Sequence, residues 1–280
     1  MRLTPRDIAL LRLVEQYRVL RRDQAQRLLF PSKNTANERL KRLYQHRFLL
    51  RRWLPVEYGQ GMGQALYLLD CAGADVLAQA RGDDRSGIGW RRARNLVSSS
   101  FLQHTLMIND VRVAVTLAAR QALYRLERWE GEDELAAKPD YVWVPTRRGR
   151  LRIAVIADSY FALHLGDRRA HFLLEADRAT VSNKRWALRV RAYLQYVRGG
   201  QYARRFGTRS LRVLTVTTGE RRLANLKRTT EKARGGTMFW FTTQDRATPS
   251  AVLSEPVWRV GGSDGLSQLI GNGSPCTRDT

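Results

Sequence analysis

The start of the chain is constrained by apolar side chains that recur at helical spacing in short, well-delimited segments. Thr4 can cap a first helix that runs to about Tyr17, and Pro5 suits its first turn. A second helix is predicted from about Arg22 to Leu29, where the dipeptide Phe-Pro ends it. The apolar stripe of the first helix is formed by Ile8, Leu11 and Val14.

A third helix is predicted directly after the second. Ser32 can cap it, and Ala36, Leu40 and Leu43 fall at i, i+4 and i+7, which is one face of a helix. The opposite face is polar and cationic. This amphipathic pattern predicts a helix that packs on a core with one side and presents the other to a partner.

A β-hairpin pattern follows the three helices. Two apolar runs, FLLRRWLPVEY and QALYLLD, flank the flexible stretch GQGMG. Helix, helix, helix and hairpin is the order of a winged helix-turn-helix, with the hairpin as the wing. We therefore predict a winged-helix domain over residues 1–80 and a basic linker over 81–98.

The rest of the chain changes to short strands mixed with helices. A long helix is predicted from Ser99 to Leu123, and further helices over 181–198 and 221–234. The predicted strands are Tyr141–Val144, Leu151–Ile156, Ser159–Leu165, His171–Glu175, 211–218 and 238–243. This α+β or α/β pattern predicts a mixed sheet flanked by helices over 99–260, with a flexible tail at 261–280.

Charge points to a polyanionic partner. The chain of 280 residues has 49 Lys and Arg against 26 Asp and Glu, a net charge of +23. Residues 1–54 hold fourteen cations against four acids and residues 178–234 hold sixteen against two, while 127–134 is acidic. Because each neutralised phosphate releases counterions, two basic blocks favour nucleic acid. Arg-rich usage in a GC-rich genome is the alternative.

The polar face of the third helix is the first candidate site. Short polar side chains can read base edges in the major groove, and cations beside them can hold phosphates. The alternatives are a merely solvated helix face or a protein-contact module. The candidate DNA-binding residues, including two arginines at the base of the wing, are Lys33, Asn34, Thr35, Asn37, Arg39, Lys41, Arg42, Arg51 and Arg52.

Three carboxylates form the second candidate site. Asp158 precedes one strand of a predicted hairpin, and Glu175 and Asp177 end its partner, so the three can converge. Carboxylates gathered in this way bind Mg²⁺ or Mn²⁺, and Lys184 on the next helix could stabilise developing charge. These acids can also simply pair with arginines. Spacing alone favours such pairing.

Six segments, taken in their order, form a pattern across most of the chain. They are LTPRDIALLRLVEQYRVLRRDQAQRLLF, NERLKRLYQHRFLLRR, YLLDCAGADVLA, HTLMINDVRVAV, ADSYFALHLGDRRAHFLLEADRAT and RAYLQYVRGGQY. In this order they resemble the replication-relaxation family of plasmid and mobile-element proteins over roughly residues 3–230. The resemblance implies an N-terminal winged helix joined to a domain similar to the PD-(D/E)xK restriction-endonuclease fold.

By this resemblance, Asp158 corresponds to the first acid of the nuclease motif and Glu175 to the second. Ala157 stands where the motif has proline, and Asp177 stands where it has lysine. An aspartate cannot supply the cation that orients the attacking water, and arginine is a poor general base. Two hypotheses follow: a Mg²⁺- or Mn²⁺-dependent nuclease with a relocated cation, or a nuclease-like domain that binds DNA without any metal.

The sequence thus predicts a double-stranded DNA-binding protein of a plasmid or mobile element, acting in replication, DNA relaxation or transfer. The runner-up is a winged-helix transcriptional regulator whose second domain serves dimerisation or partner contact. An RNA-binding or scaffold protein is a third class. We also expect a cytoplasmic protein without a membrane segment, and a homodimer is one option.

Overall fold

A computed structural model of the chain describes residues 1–55, 63–88, 90–146 and 149–271, together with the backbone of a short strand at Thr277–Arg278. Most of the predicted hairpin tip GQGMG, Gly89 of the predicted linker and two residues of the RRG turn lie outside the described residues. The chain divides into two compact units, Met1–Val113 (unit 1) and Ala114–Thr280 (unit 2). The predicted domain boundaries at 80/81 and 98/99 stay predictions.

Unit 1 consists of short helices and a small antiparallel sheet. Its elements are α1 (Pro5–Tyr17), β1 (Leu20–Arg21), α2 (Arg22–Leu29), α3 (Lys33–Gln45), β2 (Leu49–Trp53), β3 (Ala65–Leu69) and α4 (Cys71–Arg81). Two 3₁₀ turns follow at Arg85–Ile88 and Arg92–Asn95. The strands pair in the order β1–β3–β2. The predicted helices and the two arms of the hairpin are present, and β1 is a strand that the sequence pattern did not reveal.

Local capping explains where the first helices begin. The Oγ1 of Thr4 accepts a hydrogen bond from the backbone N–H of Asp7 at 3.3 Å, and the Asp7 carboxylate accepts one from the N–H of Thr4 at 2.7 Å. This reciprocal capping box fixes the start of α1. The Ser32 Oγ accepts from the N–H of Thr35 at 3.2 Å and starts α3 in the same way.

The core of unit 1 is apolar and closely packed. Gly73 shows how close its elements lie, because a Cβ built on that residue of α4 would meet the carbonyl oxygen of Phe48 at 2.2 Å. Only glycine fits there. Fully buried core residues come from the helices and from β3, namely Leu10, Leu11, Val14, Ala25, Ala36, Leu40, Leu43, Leu66 and Leu77.

The long helix α5 (Ser99–Gln121) contains the division between the two units. Four apolar residues of this helix are buried: Leu102, Leu106, Val111 and Val115. Ile108 and Leu117 are only partly buried. Across the described parts of the chain, no helix combines the length and apolarity needed to cross a membrane.

Unit 2 is built on a mixed sheet. Its elements after α5 are β4 (Arg125–Gly131), α6 (Glu132–Ala137), β5 (Asp140–Thr146), β6 (Gly149–Val155), β7 (Ser159–His164), β8 (Arg168–Asp177), α7 (Asn183–Arg198), α8 (Gln201–Phe206), β9 (Arg212–Thr217), α9 (Glu220–Lys232), β10 (Phe239–Thr243), β11 (Arg259–Val260) and β12 (Thr277–Arg278). The sheet order is β11–β10–β9–β8–β7–β4, and β12 pairs with β8. Strands β8, β9 and β10 run parallel, while their outer neighbours are antiparallel. The predicted mixed sheet flanked by helices is confirmed.

Helices α7 and α9 contribute to one apolar core with the central strands. Trp186, Val190 and Tyr193 of α7 and Leu223 and Leu226 of α9 are buried in it. The sheet contributes Leu173, Val213, Phe239 and Phe241 to the same core. The Trp186 Nε1 also donates to the Thr230 Oγ1 at 2.8 Å, which ties the two helices together.

The strands β5 and β6 form a separate two-stranded antiparallel ribbon. Val142 and Val144 of its inner face are buried in the core that includes α7. Alternation along the strands places the neighbouring residues of β5 on the opposite, outer face. The ribbon is therefore anchored on one side only.

Two parts of unit 2 have structure that the sequence pattern did not indicate. The acidic stretch 127–134 forms β4 and α6, because Trp129 stacks on Phe161 with ring centroids 4.8 Å apart and draws β4 onto the sheet edge. The tail predicted to be flexible at 261–280 is packed at least as far as Leu269, which is fully buried. Its carbonyl oxygen accepts from the Arg212 Nη1 at 2.5 Å. The Gly- and Ser-rich composition of this tail gave no indication that Leu269 would be buried.

Candidate nucleic-acid interface and carboxylate cluster

Helix α3 has two faces of opposite character. Ala36, Leu40 and Leu43 are fully buried and hold one face in the core of unit 1. The predicted contact residues that are exposed on this helix are Lys33, Asn34, Asn37, Lys41 and Arg42. The structure thus brings most of the predicted α3 residues onto one accessible surface, which we call the α3 face.

Arg39 does not belong to the α3 face. Its guanidinium is paired with the fully buried Asp7 of α1, with the Nε 2.9 Å from the Asp7 Oδ1. Burial disfavours the ionised carboxyl, but hydrogen bonds from Arg39 and Thr4 outweigh it and lower the pKa of Asp7 below its ordinary value. Arg39 therefore ties α3 to α1, and its predicted phosphate contact stays a prediction.

Two further predicted contacts on α3 also have partners within the chain. The Thr35 hydroxyl lies 2.9 Å from the Ser32 Oγ and is part of the helix cap. Arg42 pairs with Glu38 one turn away, with 2.6 Å between the Nη2 and the carboxylate oxygen. That pair is more than half exposed, so it contributes little stability and leaves Arg42 accessible.

The two arginines at the base of the hairpin are held differently. Arg52 donates from its Nη1 to the carbonyl oxygens of Asn95 and Val97, each at 3.0 Å. Arg51 instead lies over two aromatic rings, with its Cζ 4.2 Å from the Tyr44 centroid and 4.7 Å from that of Trp53. Arg52 thus ties the hairpin to residues 95–97, and Arg51 is held beside α3. Trp53, next to Arg52 in sequence, was a local signal for this stack, but the pairing of Arg51 with Tyr44 was not predicted.

In unit 2, the hairpin of β7 and β8 brings Asp158 and Glu175 together. The N–H of Asp158 donates to the Leu174 carbonyl at 3.1 Å, and the Asp158 Oδ2 accepts from the N–H of Ala176 at 2.7 Å. The register places Ser159 opposite Leu174. These contacts place Asp158 beside β8 at the level of Glu175, and the predicted convergence of the three carboxylates stays a prediction.

Glu175 is enclosed by its own protein. Only 2% of its side chain is exposed, its Oε2 accepts from Arg189, and its Oε1 accepts from the Tyr193 hydroxyl. Burial raises the pKa of Glu175 to about 7, and the nearby charge of Asp158 acts in the same direction, while Arg189 and Tyr193 oppose it. Both carboxylate oxygens are thereby engaged by residues of α7.

Asp177 has a different set of partners. The Arg222 Nε donates to its Oδ2 at 2.7 Å and the Arg222 Nη2 to its Oδ1 at 2.8 Å. The Thr217 hydroxyl and the N–H of Ala179 also donate to the Oδ2, at 2.9 and 3.1 Å. Asp177 is 4% exposed, so this is a buried bidentate ion pair.

As arranged, Glu175 and Asp177 do not offer a divalent cation a shared set of free oxygens. A metal shared by Glu175 and Asp177 would need oxygens that Arg189, Tyr193 and Arg222 now fill. Lys184 is exposed in the first turn of α7, and no described contact joins it to the three carboxylates. We therefore assign no catalytic step to this cluster.

The basic block 178–234 is partly internal. At least five of its sixteen cations are paired with other groups of unit 2, although the Arg189 side chain is still 41% exposed. They are Arg189, Arg205, Arg212, Arg222 and Lys227, held by Glu175, Asp140, the Leu269 carbonyl, Asp177 and Glu231 respectively. The exposed cations of the block include Lys184, Arg185, Arg191, Arg198, Arg204, Arg221 and Arg228.

The chain therefore combines a small helical unit, which bears a basic surface, with a mixed-sheet unit whose carboxylates are tied to arginines. The replication-relaxation family model matches residues 11–211, most of the chain. The chain belongs to the replication-relaxation family.

Other comparisons are distant. No curated protein matches the chain. Two solved structures of the restriction endonuclease FokI, one of them bound to DNA, are similar at 12% and 9% identity, with TM-scores of 0.27 and 0.28. In both, 86% of this chain is covered, but only 43% and 42% of the FokI chain. The chain thus spans less than half the length of FokI, and similarity at this level supports no inference about activity.

Proposed function

We propose that unit 1 is a winged-helix module that binds duplex DNA through α3. The main support is that the α3 face exposes Lys33, Asn34, Asn37 and Lys41, while the other side of the same helix is fully buried. A rigidly held helix that presents short amides between cations suits the major groove. The helix order and the β2–β3 hairpin support the same reading.

The neighbouring residues suit phosphate contacts. Lys33 lies in the first turn of α3, where unpaired backbone N–H groups favour an anion, and Lys41 lies two turns further on. The Arg51 guanidinium is stacked on Tyr44 at the C-terminal end of the same helix. These cations flank the two asparagines and would hold the DNA backbone on either side of the groove.

We further propose that unit 2 is a nuclease-like domain that binds DNA without cutting it. The exposed cations of α7 to α9 can engage backbone phosphates. The arrangement of Asp158 before β7 and Glu175 within β8 is consistent with the fold that the family resemblance implies. The ion pair of Asp177 with Arg222 argues against hydrolysis, because it neutralises the acid that replaces the motif lysine.

The family supports a role in the replication, relaxation or transfer of a plasmid or other mobile element. A transcriptional regulator is the second candidate. The arginine contacts of Glu175 and Asp177 fit this function as well as the first, because a regulator does not cleave DNA. The two functions differ in where the protein binds. A regulator would protect its own promoter, whereas a replication or transfer protein would protect an origin on the element.

Duplex binding is tested with a fluorescently labelled duplex of about 30 base pairs, long enough for roughly three helical turns. Affinity of the full chain is measured by anisotropy over a range of salt concentrations. A double variant, Lys33→Ala with Lys41→Ala, should bind more weakly and reduce the salt slope by about 0.9 per lost phosphate contact.

Arg6→Ala with Arg12→Ala is the matched control, because it removes two exposed cations from α1. It should change the slope less than the α3 variant does. Equal effects of the two variants would place the interface elsewhere than on α3. Binding that does not weaken with salt at all would refute the proposal.

A further inference from the structure

The outer face of the β5–β6 ribbon carries exposed aromatic rings. Tyr141 is 42% exposed and Trp143 is 58% exposed, although tryptophan is usually well buried. Both lie on β5 and alternate with Val142 and Val144, which are buried. The aromatic residues are therefore not needed for the core, and an exposed pair of this kind marks an interaction surface.

The same face is cationic. The register places Arg152 opposite Trp143 and Arg150 opposite Pro145, and both arginines are exposed. The Arg152 Cζ lies 4.0 Å from the Tyr141 ring centroid, which orients its guanidinium over the ring. Among the described residues of this face, Tyr141, Trp143, Pro145, Arg150, Arg152 and Ala154, none is acidic. Such a face repels a second copy of itself and attracts a polyanion.

We propose that this outer face binds single-stranded DNA, with bases stacked on Trp143 and on the Arg152–Tyr141 pair. Aromatic rings and arginine planes are the platforms on which unpaired bases stack. Within a duplex the bases are already stacked on one another and offer only their edges. An exposed tryptophan face therefore suits a single strand rather than a duplex.

Spacing favours the same partner. Residues two apart on a β-strand are about 7 Å apart, so Tyr141 and Trp143 provide two platforms at that separation. Successive bases in B-DNA are only about 3.4 Å apart. Two neighbouring bases can reach both platforms only when the strand is extended and unstacked. Arg150 and Arg152 are then placed to meet the phosphates between them.

This surface is in unit 2 and is independent of the α3 face in unit 1. A protein that acts on DNA in replication or transfer meets single strands as well as duplex. The ribbon would bind the single strands, and the α3 face would bind the duplex. Each can be removed by substitution without touching the other.

The test uses the full chain and a labelled oligothymidylate of about 15 nucleotides, within the usual site size of single-strand binders. Trp143→Leu keeps an apolar side chain but removes the stacking surface, and it should weaken oligothymidylate binding about tenfold. Trp143→Phe, which keeps a ring, should retain most of the affinity. Arg152→Ala should weaken binding and lower its salt dependence.

Leu266→Ala is the control, since Leu266 is a similarly exposed apolar side chain of unit 2 outside the ribbon. It should leave oligothymidylate binding unchanged. The proposal is overturned if Trp143→Leu binds the oligomer as tightly as the unmodified chain. It is equally overturned if that variant changes only the mass in solution, measured by light scattering, because the ribbon would then join two copies of the chain.

Discussion

Arg222 clamps Asp177 through two nearly parallel hydrogen bonds, from the Nε at 2.7 Å and from the Nη2 at 2.8 Å. The same guanidinium donates to the Val181 carbonyl oxygen at 2.5 Å, so it connects the end of β8 to the segment that leads into α7. Asp177 occupies the position at which the nuclease motif resembled by this sequence has lysine. Arg222 of α9 therefore places a cation beside that position, but the Asp177 carboxylate neutralises its charge.

Removing this clamp should destabilise the protein strongly. Arg222→Met leaves the buried carboxylate of Asp177 without its counter-charge, which costs about 3 kcal/mol or more. The free energy of unfolding, from denaturant titration, measures the loss. Adding Asp177→Asn to the same variant should restore part of it, because the uncompensated charge is gone.

Lys227→Ala provides the control for that experiment. It breaks another ion pair of α9, with Glu231 one turn away, which is worth about 0.5 kcal/mol. If Arg222→Met costs no more than Lys227→Ala, the Asp177 pair is not the buried anchor described above.

Glu175 should make stability depend on pH in a distinctive direction. Burial raises its pKa from the ordinary 4.5 to about 7. Between these values the folded state holds a proton that the unfolded chain releases, so this group's contribution to the free energy of unfolding falls as pH rises from about 4.5 to 7. Glu175→Gln removes that titration, and its stability relative to the unmodified chain should rise over the same window by up to about 3 kcal/mol.

The measurement is a denaturant titration of both proteins at several pH values. Comparing the two cancels all other titrating groups, including Asp7, whose lowered pKa acts in the opposite sense at lower pH. Parallel stability curves for the two proteins would show that Glu175 titrates normally and is not enclosed as described.

Many features of the fold could be predicted from the sequence, because they depend on residues close together in the chain. The caps at Thr4 and Ser32, the buried face of α3 and the hairpin that joins Asp158 to Glu175 all follow from spacing within a few residues or across one turn. Local signals of this kind survive in the fold because tertiary packing reinforces them.

The ion-pair partners of the charged residues could not be predicted from the sequence. Arg39 meets Asp7 from 32 residues away, and Arg222 meets Asp177 from 45. Nothing in the local sequence distinguishes these arginines from Lys33 or Arg221, which are exposed. Which cations of a basic block face solvent depends on how helices pack, so a charge count overstates the surface available to DNA.

Divalent cations should leave this protein unchanged. Because Arg189 and Tyr193 already engage Glu175 and Arg222 engages Asp177, these two carboxylates should not gather Mg²⁺ or Mn²⁺, and the melting temperature should not rise. A ligand at a hundred times its Kd would add about 2.7 kcal/mol to stability, which thermal melting detects easily. Supercoiled plasmid incubated with either ion should remain intact. Metal-dependent nicking that disappears in Glu175→Gln, with DNA binding retained, would instead establish a nuclease.

Asn37 should govern which duplex sequences unit 1 prefers. An asparagine in the major groove reads adenine through two hydrogen bonds, and losing such a pair costs about 1–3 kcal/mol of discrimination. Sites selected by the full chain from a random duplex pool should therefore lose their advantage in Asn37→Ala, while the salt slope stays the same because no phosphate contact is lost. Gln79→Ala on α4 removes another exposed amide from unit 1 and should select the unmodified sites. An Asn37→Ala protein that selects those same sites would leave α3 with backbone contacts only, and sequence choice would have to come from elsewhere in the chain.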